Sequence, residues 1–293
     1  MSKIYDRKNK KLIEEKEYKE NLLKFLYQTL IGRILLKLIV ARPWFSNLKS
    51  IYQKSNKSKK DIVPFVKEYN IDISNYKLDS FDSFNDFFIR KRSYNTNAKE
   101  NELVAIADSK LLIYKIDNNL QLNIKNSIYD LQDIVNESKI ANLYKNGYAL
   151  IFRLAMNDYH RYIFEDDGKL VYSKFIKGEL HTIRPISKKY KVYSRNSRVV
   201  NVIKSKNFGL ITQVEVGALL VGRIKNYNIK KFSRLEEKGY FEYGGSTIVM
   251  FLPSNLNIKF DEDILEQSKL GYETQVFIGE KIGEREDYNV SSA

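Results

Sequence analysis

The 293-residue chain contains no cysteine. Disulfides, thiol nucleophiles and cysteine-ligated metal are therefore excluded. Only two histidines are present, His160 and His181. No metal is expected, and near-neutral proton chemistry falls on those two positions. No run of about 18 apolar residues exists, which argues against a spanning helix. The first residues are charged and lead to no apolar core with a small-residue cleavage site, so no secretory signal is expected.

What the chain has in excess is positive charge. The net charge of +14 points to an anionic partner, either nucleic acid or an anionic membrane surface. An apolar content of 43% supports a real core. Residues 1–20 are highly charged and read as an exposed arm or solvated helix. In residues 21–40, Leu23, Leu26, Leu30, Ile34 and Leu38 recur at helical spacing, interrupted by Lys24, Arg33 and Lys37. Pro43, Trp44 and Phe45 follow. Such a basic amphipathic helix suits the plane of a membrane interface. The same face could pack on the protein's own core; its width favours the membrane.

A basic linker at 54–61 precedes an expected helix over 62–69, and another helix should start near Ser80 or Asp82 with Phe84, Phe87 and Phe88 on one side. From about residue 103 the pattern turns to short strands at 111–116, 120–124, 149–154, 171–176, 199–203, 210–216 and 247–252. Ser127 to Asp130 reads as a capping-box start for a helix through Leu131, Ile134 and Val135. The expected class is α+β: a mostly antiparallel β catalytic core with an N-terminal amphipathic helical region. The expected division is 1–95, helical and membrane-associating, and 96–293, β-rich and catalytic.

One stretch organises the rest. Gly244-Gly245-Ser246-Thr247 stands before the apolar run Ile248 to Leu252, a backbone-permissive joint at the mouth of a buried strand. Taken alone it reads as a turn. Two other segments accompany it: Asp158-Tyr159-His160-Arg161, and Val216-Gly217-Ala218-Leu219-Leu220-Val221-Gly222. Together the three resemble the phosphatidylserine decarboxylases. Phe84 to Arg90 is similar to that family's aromatic-aromatic-x-Arg segment, Val104 to Leu111 to its Ala-Asp-Gly segment with Ser109 in place of Gly, and Gly178 to Pro185 to its Gly-x-Leu-x-x-Val-x-Pro segment.

The resemblance implies a proenzyme that cuts itself between Gly245 and Ser246. The products would be a large chain, 1–245, and a small chain, 246–293, which stay associated. Ser246 would become a covalent pyruvoyl group, the cofactor, and phosphatidylserine would be decarboxylated to phosphatidylethanolamine through a Schiff base to that group. A serine hydroxyl attacking the preceding carbonyl needs a neighbouring base, usually oriented by a carboxylate. His160 is assigned as the base and Asp108 as the carboxylate. Many members carry a second histidine where Ile163 stands, so either His160 serves both cleavage and decarboxylation or His181 assists. His181, Gly217, Gly222 and Thr247 are assigned to the pocket. Gly217 and Gly222 are read as places of close backbone approach; no phosphate-loop pattern accompanies them. The resemblance also implies peripheral attachment to the cytoplasmic side of the cell membrane through an anionic surface, with no nucleic acid, and leaves the oligomeric state open, a homo-oligomer included. One rival reading is an inactive relative that binds lipid or nucleic acid, motivated by the missing histidine and glycine; another is a pyruvoyl decarboxylase for a soluble amino acid, against which the amphipathic N-terminal helix argues.

Overall fold

The computed structural model describes residues 2–15, 20–74, 76–125, 127–219, 223–244 and 246–286. Among them, ten strands form the main sheet: β1 (Ser2–Asp6), β2 (Lys11–Glu15), β3 (Ser109–Lys115), β4 (Tyr148–Leu154), β5 (Gly168–Ile176), β6 (Arg198–Ser205), β7 (Gly209–Val216), β8 (Lys231–Phe232), β9 (Ser246–Leu252) and β10 (Glu273–Val276). Their spatial order is β8-β5-β6-β7-β9-β4-β3-β10-β1-β2. Every pairing is antiparallel except that of β1 with β10. This is the α+β class expected, with a mostly antiparallel core.

The apolar run of residues 248–252 lies in β9, held between β7 and β4. Its two faces enter two different cores. Ile248, Met250 and Leu252 pack with Phe152, Phe208 and Phe241, while Val249 and Phe251 pack with Tyr144, Ile151 and Val214. A strand buried on both sides needs no polar alternation, which explains the unbroken hydrophobic sequence.

Residues 2–15 are not an exposed arm. β1 and β2 form a hairpin on the edge of the sheet, with Ile4 buried and opposite Glu273. Arg7, in its turn, binds Asp261 at 2.7 Å, Asp263 at 2.8 Å and Glu280 at 2.8 Å. A charged sequence that looked solvated is thus tied down by long-range carboxylates that no local pattern reveals. The expected capping box also differs. Ser127–Asp130 is a strand paired with Gln121–Ile124, and the helix Leu131–Val135 starts on Asp130, whose side chain accepts from the Gln132 amide.

The amphipathic stretch is broken into α1 (Glu20–Gln28) and α2 (Leu30–Leu35), the latter running on as a π-helical turn, Leu36–Val40. The Thr29 hydroxyl caps α2 by accepting from the Gly32 amide. A Cβ at Gly32 would stand 2.0 Å from the Phe25 carbonyl oxygen, so the two helices can meet only at a glycine. α3 (Pro43–Lys54) begins with proline at its first turn. α4 (Ile62–Tyr69) and α5 (Phe84–Phe88) join through Phe65, Phe84, Phe87 and Phe88. Of the residues expected on the membrane face, Leu26 is instead buried with Tyr27, Leu36 and Ala41, and Leu23 packs beside them. Leu30, Ile34 and Leu38 are exposed, joined by Ile31, Trp44, Leu48 and Ile51.

Candidate active site

Sheet register assembles the site. Ser246 opens β9 directly opposite Leu154, the last residue of β4. The turn leaving β4 and the segment entering β9 therefore share one end of the sheet. The turn carries Asp158 to Arg161, and the strand Arg161–Ile163 then pairs with Glu237–Phe241. The Phe241 amide donates to the His160 carbonyl at 3.0 Å. His160 is thereby held beside the approach to Ser246.

The His160 imidazole is fully buried, with the Phe88 ring centred 4.2 Å away. Its Nδ1 stands 2.8 Å from the Asp158 carbonyl oxygen and donates to it, which assigns the tautomer and leaves Nε2 as an acceptor. Among the described residues Nε2 has no hydrogen-bond partner, and neither has the buried Ser246 Oγ. The backbone of Gly244, two residues before Ser246, also acts on the ring. Burial pushes His160 down to about 3; the Asp158 carbonyl opposes this, and the charges of Arg90 and Lys110 add to it. The ring is accordingly neutral near neutral pH. Gly244 has φ 134°, a conformation that favours glycine. Gly245 and Gly222, both expected in the site, lie outside the described residues.

Asp108 is buried but does not bond to His160. Its Oδ1 accepts from Arg92 at 2.7 Å and from the Ile278 amide at 3.0 Å. The guanidinium and the amide share one oxygen of the carboxylate, and the atom that accepts from His160 Nδ1 is a backbone oxygen, that of Asp158. The Asp158 side chain holds this turn in place. It accepts from Lys110 Nζ at 2.6 and 2.7 Å and from the Ala155 amide at 2.7 Å.

His181 is held elsewhere. Its Nδ1 accepts from the Tyr27 hydroxyl at 3.3 Å, its Nε2 faces Glu179 at 3.1 Å, and Tyr190 stacks on it at 4.1 Å. Nδ1 thus joins α1 to the body, while Nε2 is engaged locally by Glu179. Thr247 lies on the opposite face of β9 from Ser246, registered with Arg153 and Val216, and its buried hydroxyl has no partner among the described residues. Gly217 meets the expected close approach: a Cβ there would stand 3.1 Å from Leu180 and 3.2 Å from the Ser197 oxygen. Its neighbours Ala218 and Leu219, rather than Gly217 itself, face the cavity described next.

That cavity has a volume of about 280 Å³. Leu22, Leu26, Leu35 and Phe45 of the N-terminal helices form one wall; Met156, Ile183 and Gly244 of the body face them. Lys49, Arg153 and Arg184 supply cationic groups at its boundary. Sequence reading left several residues around His160 without a role. Asp158 lay inside a quoted motif and Lys110 two places after Asp108, yet only the folded register brings the two together. The contact of Phe88 with His160 had no signal beyond the aromatic pair.

Residues 84–284 match the family model described as phosphatidylserine decarboxylase. The chain belongs to the phosphatidylserine decarboxylase family. It is 51% identical to phosphatidylserine decarboxylase proenzyme 2 of Clostridium acetobutylicum, over 97% of this chain and 99% of that one. It is 40% identical to the proenzyme of Clostridium kluyveri and 39% identical to that of Clostridium tetani, each over 97% of this chain and 99% of the other. The resemblance read from three short segments is borne out across the family's length, and with it the assignment to an enzyme family. Within this decarboxylase frame, Ile163 is fully buried in the core containing Phe152 and Phe241. An apolar side chain thus fills the place of the second histidine.

Proposed function

We propose that the chain is a self-processing, pyruvoyl-dependent phosphatidylserine decarboxylase that yields phosphatidylethanolamine. The observation that carries this is that Ser246 Oγ and His160 Nε2, both buried, have no hydrogen-bond partner among the described residues, while Gly244, which acts on the His160 ring and precedes Ser246 by two residues, lines an apolar cavity. Buried polar groups are normally satisfied, so a serine hydroxyl and a neutral imidazole left open are suited to react. A pyruvoyl group fits here because Ser246 begins a strand that fixes its backbone and leaves its hydroxyl free.

In the processing reaction, His160 Nε2 takes the Ser246 hydroxyl proton as Oγ attacks the Gly245 carbonyl carbon. The carbon–nitrogen bond breaks, the nitrogen takes up the proton, and an ester remains. Removal of the Ser246 α-proton then expels the Gly245 carboxylate from Cβ. Water replaces the nitrogen, which leaves as ammonia. The low proton affinity of the resting imidazole rises as negative charge develops on the attacked carbonyl. When formed, the pyruvoyl group would supply an electron-accepting carbonyl for the loss of carbon dioxide. His160 returns a proton to the substrate α-carbon. Asp108 serves as a positioning residue, through Arg92 and the Ile278 amide. His181 fixes α1 against the cavity wall.

The exposed apolar side chains of α2 and α3 support peripheral docking to an anionic bilayer. Ile31 is 72% exposed and Leu30 and Ile51 68% each, with Arg33 and Lys37 nearby in sequence. Among the described residues no helix is long and apolar enough to cross a membrane. The proposed division keeps residues 20–95 as the membrane-facing region and assigns the N-terminal hairpin to the catalytic sheet. Intact mass of purified, active protein tests the central reading. Two chains divided at Gly245-Ser246 are expected; a single uncut chain in active enzyme would overturn it, and a single uncut chain without activity would favour the inactive, lipid-binding relative.

A further inference from the structure

A second cavity, about 400 Å³, opens behind the catalytic turn and is lined by Asp72, Tyr76, Arg90, Lys91, Arg92, Ser93 and Tyr159. Three consecutive basic residues meet there. Arg92 is engaged with Asp108. Arg90 is not: only 9% exposed, it has no carboxylate partner among the described residues. Its guanidinium lies over the rings of Tyr76, at 5.6 Å, and Phe87, at 4.8 Å; it hydrogen-bonds to the Tyr76 side chain, Nη1 donates to the Phe87 carbonyl at 3.3 Å, and Nε has no partner among the described residues. A buried cation without a counter-charge is unfavourable, and its planar fork is suited to a tetrahedral oxyanion. Among the described residues the one carboxylate on the wall, Asp72, accepts from the Ser74 amide at 2.9 Å. Ser93 and Tyr76 add hydroxyls on the same wall, and Tyr159 contributes one whose oxygen accepts from the Arg92 amide at 3.2 Å.

We infer that this cavity is an anion site for a phosphate group, bound by Arg90, Lys91 and Ser93, and separate from the cavity that reaches Gly244. The shared chemistry is a phosphate oxyanion, carried either by inorganic phosphate or by a lipid headgroup. Occupancy has a consequence that rests on the reading of His160 as the base. The groups acting on that ring are Arg90, Lys110, the Asp158 carbonyl and the Gly244 backbone, with Phe88 against its face. An anion on Arg90 offsets one of the two cations that disfavour protonation of the imidazole. His160 becomes a stronger base and Ser246 is processed faster.

Calorimetric titration of the purified full-length protein with inorganic phosphate tests the site without reference to catalysis. Saturable binding is expected, weakened about tenfold or more in Lys91→Glu, a change at an exposed position. Lys57→Glu, an equal change of charge away from the cavity, should bind as the unaltered protein does. No saturable binding, or equal weakening by both substitutions, would overturn the site. Repeating the titration with phosphatidylglycerol vesicles present separates the two sources. Loss of phosphate binding identifies a lipid headgroup as the occupant, and unchanged binding identifies free phosphate. Processing of freshly translated chain with and without phosphate then tests the coupling: faster cleavage is expected in the unaltered protein and not in Lys91→Glu. Binding with unchanged cleavage would retain the site and reject its link to His160.

Discussion

The imidazole of His160 is pushed down to about 3 by burial, so acid should not switch off processing near the ordinary histidine value of 6.5. The rate of Ser246 cleavage, followed by gel from about pH 5 to about pH 8, should show no loss that tracks an ordinary histidine. A fall centred near the ordinary value would show an exposed or repositioned ring. His160→Gln should remain uncut, as should Ser246→Ala, while His181→Gln should still process, because both its ring nitrogens serve contacts to Tyr27 and Glu179. An uncut His181→Gln protein that folds normally would contradict that division of labour. Asp158→Asn tests the frame beneath the base. It leaves the Lys110 ammonium buried without its carboxylate, at a cost of about 3–5 kcal/mol. The midpoint of urea unfolding should fall accordingly.

At the scale of elements, the N-terminal helices offer a comparison within one sequence run. Leu26 is 2% exposed and Ile31 72%. Leu26→Ala should destabilise the fold by about 2–5 kcal/mol, since it removes buried methyl groups next to Tyr27 and Leu36. Ile31→Ser combined with Leu38→Ser should leave stability nearly unchanged and reduce co-sedimentation with anionic vesicles. Binding should also weaken with salt without vanishing, because apolar insertion is not screened whereas the basic residues are. Unchanged co-sedimentation of the double variant would place the docking face elsewhere.

Across the whole molecule, the cut at Gly245-Ser246 would separate strands that do not separate in space. β9 would start the small chain, yet it lies between β7 and β4 of the large chain; β10, also in the small chain, lies between β1 and β3. The two chains should therefore elute as one species in native gel filtration and part only on unfolding. Separation without denaturant would contradict this topology. The body also contains an acid unused by the proposed chemistry. Glu165 is fully buried and accepts from Gln213, and burial raises it from 4.5 to about 7. Between those values the folded chain keeps a proton that the unfolded chain has lost, so this group costs stability as pH rises through the window. Glu165→Gln should remove that contribution. The gap between variant and unaltered protein in urea midpoint should widen from about pH 5 to about pH 8, and a constant gap would show that Glu165 does not titrate there.

By itself the sequence determined the α+β class, the helix at Ile62–Tyr69, the central apolar strand and the family, because each rests on periodicity or on short contiguous segments. The buried β9 was legible as an uncharged run, and His160 as part of a four-residue motif. What only the tertiary structure decided depends on partners far apart in the chain. The charged N-terminus became a strand because Arg7 meets Asp261, Asp263 and Glu280 more than 250 positions away. Asp108 went to Arg92 and the Ile278 amide, and His160 to a carbonyl two residues before it. Leu26 and Ile31 carry similar side chains in one hydrophobic stretch. Which of them is covered was set by the break at Thr29 and by what α1 packs against, and neither is contained in a hydrophobic period.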